Sequence, residues 1–124
     1  MESETMAKIT GLDSVSFFVR NYAQTVDFYA DKLGFVVDER SERAAVLRSG
    51  EFRILVHVGE GGAAPPGLAM HLHLQVDDVD GFYRGLRERG VDVSEPPEDR
   101  PWGLRTFHAR DLNGYDWEFV QPIG

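Results

Sequence analysis

The sequence predicts an α+β fold built twice from one βαβββ unit. Three observations carry that prediction: two amphipathic segments with cap and stop residues, strand-like runs joined by turn signals, and an internal repeat of about 56 residues. A chain of 124 residues fits one domain. It is read as a single domain, 1–124, with modules at about 8–58 and 69–122.

Each element has its own local reason. Leu12 to Val19 is rich in Val and Phe and reads as a strand. Asn21 stands as a helix N-cap with Gln24 three residues on, the capping-box spacing. Tyr22, Val26, Tyr29 and Leu33 then recur at helical period, and Gly34 suits the left-handed residue that ends a helix. Phe35 to Asp38 reads as a second strand. Ala44 to Arg48 and Phe52 to Val58 flank Ser49-Gly50, a hairpin signal. The run GEGGAAPPG at 59–67 predicts a flexible loop between the halves.

The second half repeats the order. Ala69 to Val76 alternates as a strand does. Asp78 caps a helix whose stripe is Val79, Phe82 and Leu86, and Gly90 ends it. Val91 to Val93 is a short strand, and the prolines between Glu95 and Pro101 predict a rigid extended connection. Leu104 to Arg110 and Tyr115 to Val120 flank Leu112-Asn113-Gly114, where Asn-Gly is a strong hairpin signal. Val19 matches Val76 at an offset of 57, Gly34 matches Gly90 at 56, and Gly50 matches Gly114 at 64. The extra residues of the last offset fall in the proline-rich connection.

Composition removes whole classes of chemistry. Without cysteine there are no disulfides, thiolate zinc sites or cysteine nucleophiles. That absence fits a reducing cytoplasm, and the polar, acidic start from Met1 to Met6 is no secretory signal. A net charge of −8 argues against nucleic acid, which demands clustered Lys and Arg. No apolar run approaches the roughly 20 residues of a membrane helix. Neither GxGxxG after a strand, GxxxxGK nor HExxH occurs.

Several ordered segments resemble the glyoxalase, bleomycin-resistance and extradiol-dioxygenase superfamily, also called vicinal oxygen chelate. They are Phe28-Tyr29 ahead of Leu33-Gly34-Phe35, Val76-Asp77-Asp78-Val79-Asp80, Gly90-Val91, Pro101-Trp102-Gly103 and Arg110-Asp111-Leu112-Asn113-Gly114. The resemblance implies paired βαβββ modules whose sheets curl into an open cup with helices outside. It also implies a homodimer in many members. It does not fix function, because the superfamily hosts enzymes and pure binders.

In the superfamily's metal enzymes, ligands sit on the first and last strand of each module. Carried onto this sequence, the second module offers His71 and Glu118. The repeat offsets of 57 and 64 place Ser14 and Ile54 in the corresponding slots of the first. Serine is a poor ligand and isoleucine is none, so Ser14, His71 and Glu118 read as vestigial slots, with no metal expected. His73 shares a strand face with His71, but such neighbours lie roughly 7 Å apart.

Strand alternation then predicts the cup lining. Ser14, Ser16 and Phe18, then Ile54, Val56 and Val58, then His71, His73 and Gln75, then Asp116, Glu118 and Val120 are expected inward. His57 is expected on the opposite face from Ile54, at the surface or beneath a helix. Leu72, Leu74, Val76, Trp117 and Phe119 are expected in the core. His108 lies on the strand paired with that of Glu118, and Trp102 on a loop that can overhang the mouth. The expected ligand-binding set is therefore Phe18, Ile54, Val56, His71, His73, Trp102, His108 and Glu118.

Three functional readings follow. The first is a metal-free binder of the bleomycin-resistance type, sequestering an aromatic antibiotic or natural product unchanged; Glu98 to Gly103 is similar to a segment of such members. The second is a metal-dependent isomerase, thiol transferase or dioxygenase using His71 and Glu118 with a divalent ion. The third is a metal-free catalyst with a histidine base. Serine at position 14 ranks the binder first.

Overall fold

The computed structural model describes residues 7, 8, 10–59 and 72–124. His71 and most of the GEGGAAPPG run lie outside the described residues. The first module runs β1 (Val15–Val19), α1 (Tyr22–Asp27), β2 (Val36–Arg40), β3 (Ala44–Ser49) and β4 (Phe52–Val58). The second runs β5 (Leu72–Gln75), α2 (Val79–Glu88), β6 (Asp92–Val93), β7 (Glu98–Asp99), β8 (Leu104–Arg110) and β9 (Asp116–Pro122). The expected βαβββ order holds in both, with one addition: the proline-rich connection contains β7, which pairs with β8.

Helix boundaries follow local chemistry. Asp78 caps α2 by accepting from Gly81 N–H at 3.1 Å, and Gly34 and Gly90 take positive φ just past their helices. The capping box expected at Asn21 does not form; its side chain caps no N–H. Instead Thr25 Oγ1 donates to the Asn21 carbonyl at 2.9 Å. Beyond Asp27 the helix widens into a π-helical turn, Phe28–Lys32, which holds the fully buried Tyr29.

Each module folds into its own sheet, ordered β1-β4-β3-β2 and β5-β9-β8-β6. The β1–β4 and β5–β9 pairs are parallel, and the remaining pairs are antiparallel. Register fixes which side chains share a face. Val15 pairs with Ile54 and Phe17 with Val56, so these four share one face. Leu72 pairs with Trp117 and Leu74 with Phe119 on the matching face of the second sheet.

Those two faces meet. Phe17 lies 5.0 Å from Tyr115 and 5.8 Å from Trp117, ring centre to ring centre, and Phe52 lies 6.2 Å from Trp117. Burying these rings together provides the main apolar drive for docking one module on the other. The helix ends reinforce it reciprocally: Lys32 Nζ donates to the Arg89 carbonyl at 2.5 Å, and Arg89 Nε to the Lys32 carbonyl at 3.0 Å. The opposite face of each sheet is turned away from this shared core.

A buried polar chain also crosses the seam. Trp117 Nε1 donates to Tyr29 Oη at 3.0 Å, and Tyr29 Oη donates to Asp111 Oδ2 at 2.6 Å. The other oxygen of Asp111 accepts the N–H groups of Asn113 and Tyr115, shaping the β8–β9 turn. Asn113 Nδ2 reaches Thr25 Oγ1 at 3.1 Å. Every buried polar group so paired avoids the desolvation cost of standing alone.

Candidate functional site

The outward face of the second sheet gathers the polar residues. His73 pairs with Glu118 across β5–β9, and His108 pairs with Glu118 across β8–β9, so all three project from the same face. His73 Nε2 lies 3.4 Å from Glu118 Oε1, and His108 Nε2 lies 3.7 Å from that same oxygen. On its other side His108 Nδ1 lies 3.4 Å from Asp116 Oδ1. The result is a row, Asp116–His108–Glu118–His73, alternating carboxylate and imidazole. Glu118 is the buried member at 7% side-chain exposure, whereas His73 is half exposed. A depression of about 330 Å³ flanks the row, lined by Ser94, Glu95, His108, Arg110 and Asp116 among others. Such a row can hold a guest's hydrogen-bond donor or a positive charge.

The outward face of the first sheet mixes aromatic, aliphatic and basic side chains: Arg53, Leu55 and His57 alternate along β4, and Arg48 pairs with Arg53 on β3. Ser16 pairs with Leu55 and Phe18 with His57, which puts all four on it. The Phe18 and His57 rings stack with centres 4.8 Å apart at 17°. Phe18 is 56% exposed, which leaves one face of the stacked pair open to a flat guest.

On this sheet the observed register differs from the expected one. Ile54 and Val56 were expected to line the cup; both are fully buried on the inward, helix-covered face. Val58 shares their face through its pairing with Val19. Leu55 and His57 take the outward positions instead. The slot equivalent to Glu118 is therefore Leu55: Glu118 pairs with His73, and Ser16, which precedes His73 by the repeat of 57, pairs with Leu55. A one-residue slip sends every side chain to the other face. Asp116, outside the expected ligand-binding set, joins the row by flanking His108.

The remaining expected residues fall as follows. Trp102 is 66% exposed on the turn between β7 and β8, stacked on no described ring. Leu72, Leu74 and Val76 are partly buried against the core, and Trp117 and Phe119 lie within it. His71 lies outside the described residues.

The family-type metal site can be tested on donor chemistry. Leu55 has no donor atom, and Ser14 offers only a hydroxyl. Among the described residues, no three His, Cys, Asp or Glu side chains are arranged to hold a metal ion. The described donors do not fit a family-type divalent centre.

Comparison with known proteins agrees with the fold. The family model described as Glyoxalase/Bleomycin resistance protein/Dioxygenase superfamily matches residues 11–119, and the chain belongs to that superfamily. It is 32% identical to the "Uncharacterized protein YraH" of Bacillus subtilis (strain 168), covering 78% of this chain and 87% of the relative. Among solved structures, TioX from Micromonospora sp. ML1 matches with a TM-score of 0.72 and 26% identity, covering 91% of this chain and all of the other. A glyoxalase/bleomycin resistance protein/dioxygenase from Nocardioides matches with a TM-score of 0.77 at 20% identity, covering 96% of this chain and 87% of the other, a likeness of fold.

Proposed function

We propose that this protein binds a small aromatic compound, an antibiotic or other natural product, and sequesters it without altering it. The exposed Phe18–His57 stack carries the reading. A flat guest laid on it gains about 0.5–1.5 kcal/mol per aromatic pair beyond area burial. The carboxylate–imidazole row on the other sheet supplies the few polar anchors that a mostly apolar site uses for orientation. Leu55 and Ser14 favour a container over a Lewis-acid enzyme on the chemistry of their side chains alone.

The two outward faces lie on opposite sides of the shared core, so a single chain does not close them around one guest. A homodimer removes the difficulty by setting the first-sheet face of one protomer against the second-sheet face of its partner. Action in the cytoplasm, where a chain without cysteine loses nothing to the reducing milieu, belongs to the same proposal.

A second reading draws on one observation. The half-exposed His73 is held 3.4 Å from the buried Glu118, the arrangement of an imidazole base oriented by a carboxylate. In that reading His73 accepts a proton from the guest and returns it elsewhere on the guest. Incubating the protein with flat aromatic natural products and recovering them tests both. Saturable binding with every guest recovered intact supports the binder; a guest of changed structure, lost on His73→Ala, supports the catalyst.

A further inference from the structure

A cavity of about 400 Å³ lies between the two modules, away from the stacked pair of the first sheet. Its walls are Leu33, Phe35 and Phe52 from the first module and Leu74, Phe82 and Phe119 from the second. Phe52, Leu74 and Phe82 are only partly buried, so apolar surface is left facing the opening. The space opens to solvent, with exposed Ser49 and Glu51 at its rim, so a guest can enter it without the fold parting. An apolar cavity of about 150 Å³ already admits benzene, and ligand pockets begin near 300 Å³.

Two features say what suits it. The cavity runs along β5, the terminal strand of its sheet. The Val76 N–H turns toward β9, bonding the Val120 carbonyl at 2.9 Å. By parallel-strand alternation the backbone N–H and C=O of Gln75 point the other way, toward the strand's outer edge. Gln75 thus offers a donor and an acceptor beside the apolar walls, and Ser49 and Glu51 add a hydroxyl and a carboxylate at the rim. Glu51, on a chain of net charge −8, disfavours an anionic guest.

We propose that this inter-module cavity is a second small-molecule site, taking an uncharged two- or three-ring apolar compound with a hydrogen-bonding edge. It is separate from the Phe18–His57 face, although His73 of the carboxylate–imidazole row also lines it, and it stands whether or not that face binds a guest. The probe is N-phenyl-1-naphthylamine, neutral and brighter in apolar surroundings, titrated into the full-length protein. Saturable enhancement at one probe per protomer is expected. Leu74→Trp, which fills the cavity from its floor, weakens binding by about tenfold or more. Ser49→Trp narrows it from an exposed rim position that the fold tolerates, and lowers affinity in the same direction. No enhancement with the unmodified protein, or equal affinity in a folded Ser49→Trp variant, overturns the proposal. So does a loss on Phe18→Ala as large as that on Leu74→Trp, which would put the probe on the outer face.

Discussion

Phe18 and His57 stand side by side on parallel strands and stack at 4.8 Å on the outward face of the first sheet. The pair is the first-module counterpart of Gln75 and Val120, which follow His73 and Glu118 along β5 and β9. One repeat thus offers a stacked phenyl–imidazole platform while the other offers carboxylates alternating with imidazoles. Removing the ring at Phe18 should leave the stability of the protomer fold nearly unchanged, because within one protomer Phe18 is more than half exposed. Guest affinity should fall about tenfold, from lost stacking plus lost contact area. Fluorescence titration of Phe18→Ala beside a urea melt checks both halves.

Neighbouring residues of β4 should respond oppositely. Ile54→Ala empties a fully buried position and costs about 2–5 kcal/mol of folding stability. Leu55→Ala acts on the outward face and costs about 1 kcal/mol or less. Equal costs in chemical denaturation would contradict the register described here.

The seam network makes a pH prediction. Burial, with Asp111 beside it, pushes the Tyr29 hydroxyl well above its ordinary value of 10.0. The folded state therefore keeps the proton longer than the unfolded chain does. That contribution is fully present below pH 10.0 and is lost as pH rises toward the folded value. Burial also raises Asp111 above the ordinary 3.8, so its contribution likewise fades as pH climbs past 3.8. Tyr29→Phe strands the Trp117 N–H and an Asp111 oxygen, at a cost of about 2–4 kcal/mol near neutral pH. It should also flatten the alkaline limb above pH 10.0 when unfolding free energy is measured across pH.

The proposed pairing of outward faces is open to a mass measurement. Light scattering should give twice the 14.0 kDa protomer mass. Leu55→Glu, placing an acid opposite the partner's acidic row, should shift the population to monomer while circular dichroism stays native. A monomer in the unmodified protein would leave the two faces without a shared guest.

Much of the architecture was legible because it is local. Asp78, Gly34, Gly90 and the Asn113-Gly114 turn announce helix ends and a hairpin through their own backbone preferences. The repeat then gave the topology. Which face Ile54 occupies was not legible from turn glycines. Ser49 pairs with Phe52 around a two-residue turn, whereas Arg110 pairs with Asp116 around five residues. The loops differ by an odd number, so aligning Gly50 with Gly114 misplaces the strands by one and inverts the face. Parallel pairing of β1 with β4 sets the true register, and those strands are joined by no turn. The His73–Glu118–His108 row was half legible: His73 and Glu118 through alternation, and His108 only once β8 was registered on β9.

Titration with a panel of flat aromatic natural products, followed through quenching of tryptophan emission and by mass analysis of the recovered guest, tests the central claim most directly. The account predicts saturable binding of at least one compound, weakened by Phe18→Ala and returned with its mass and structure unchanged. A compound returned chemically converted, or bound with the same affinity when Phe18 is absent, would contradict it.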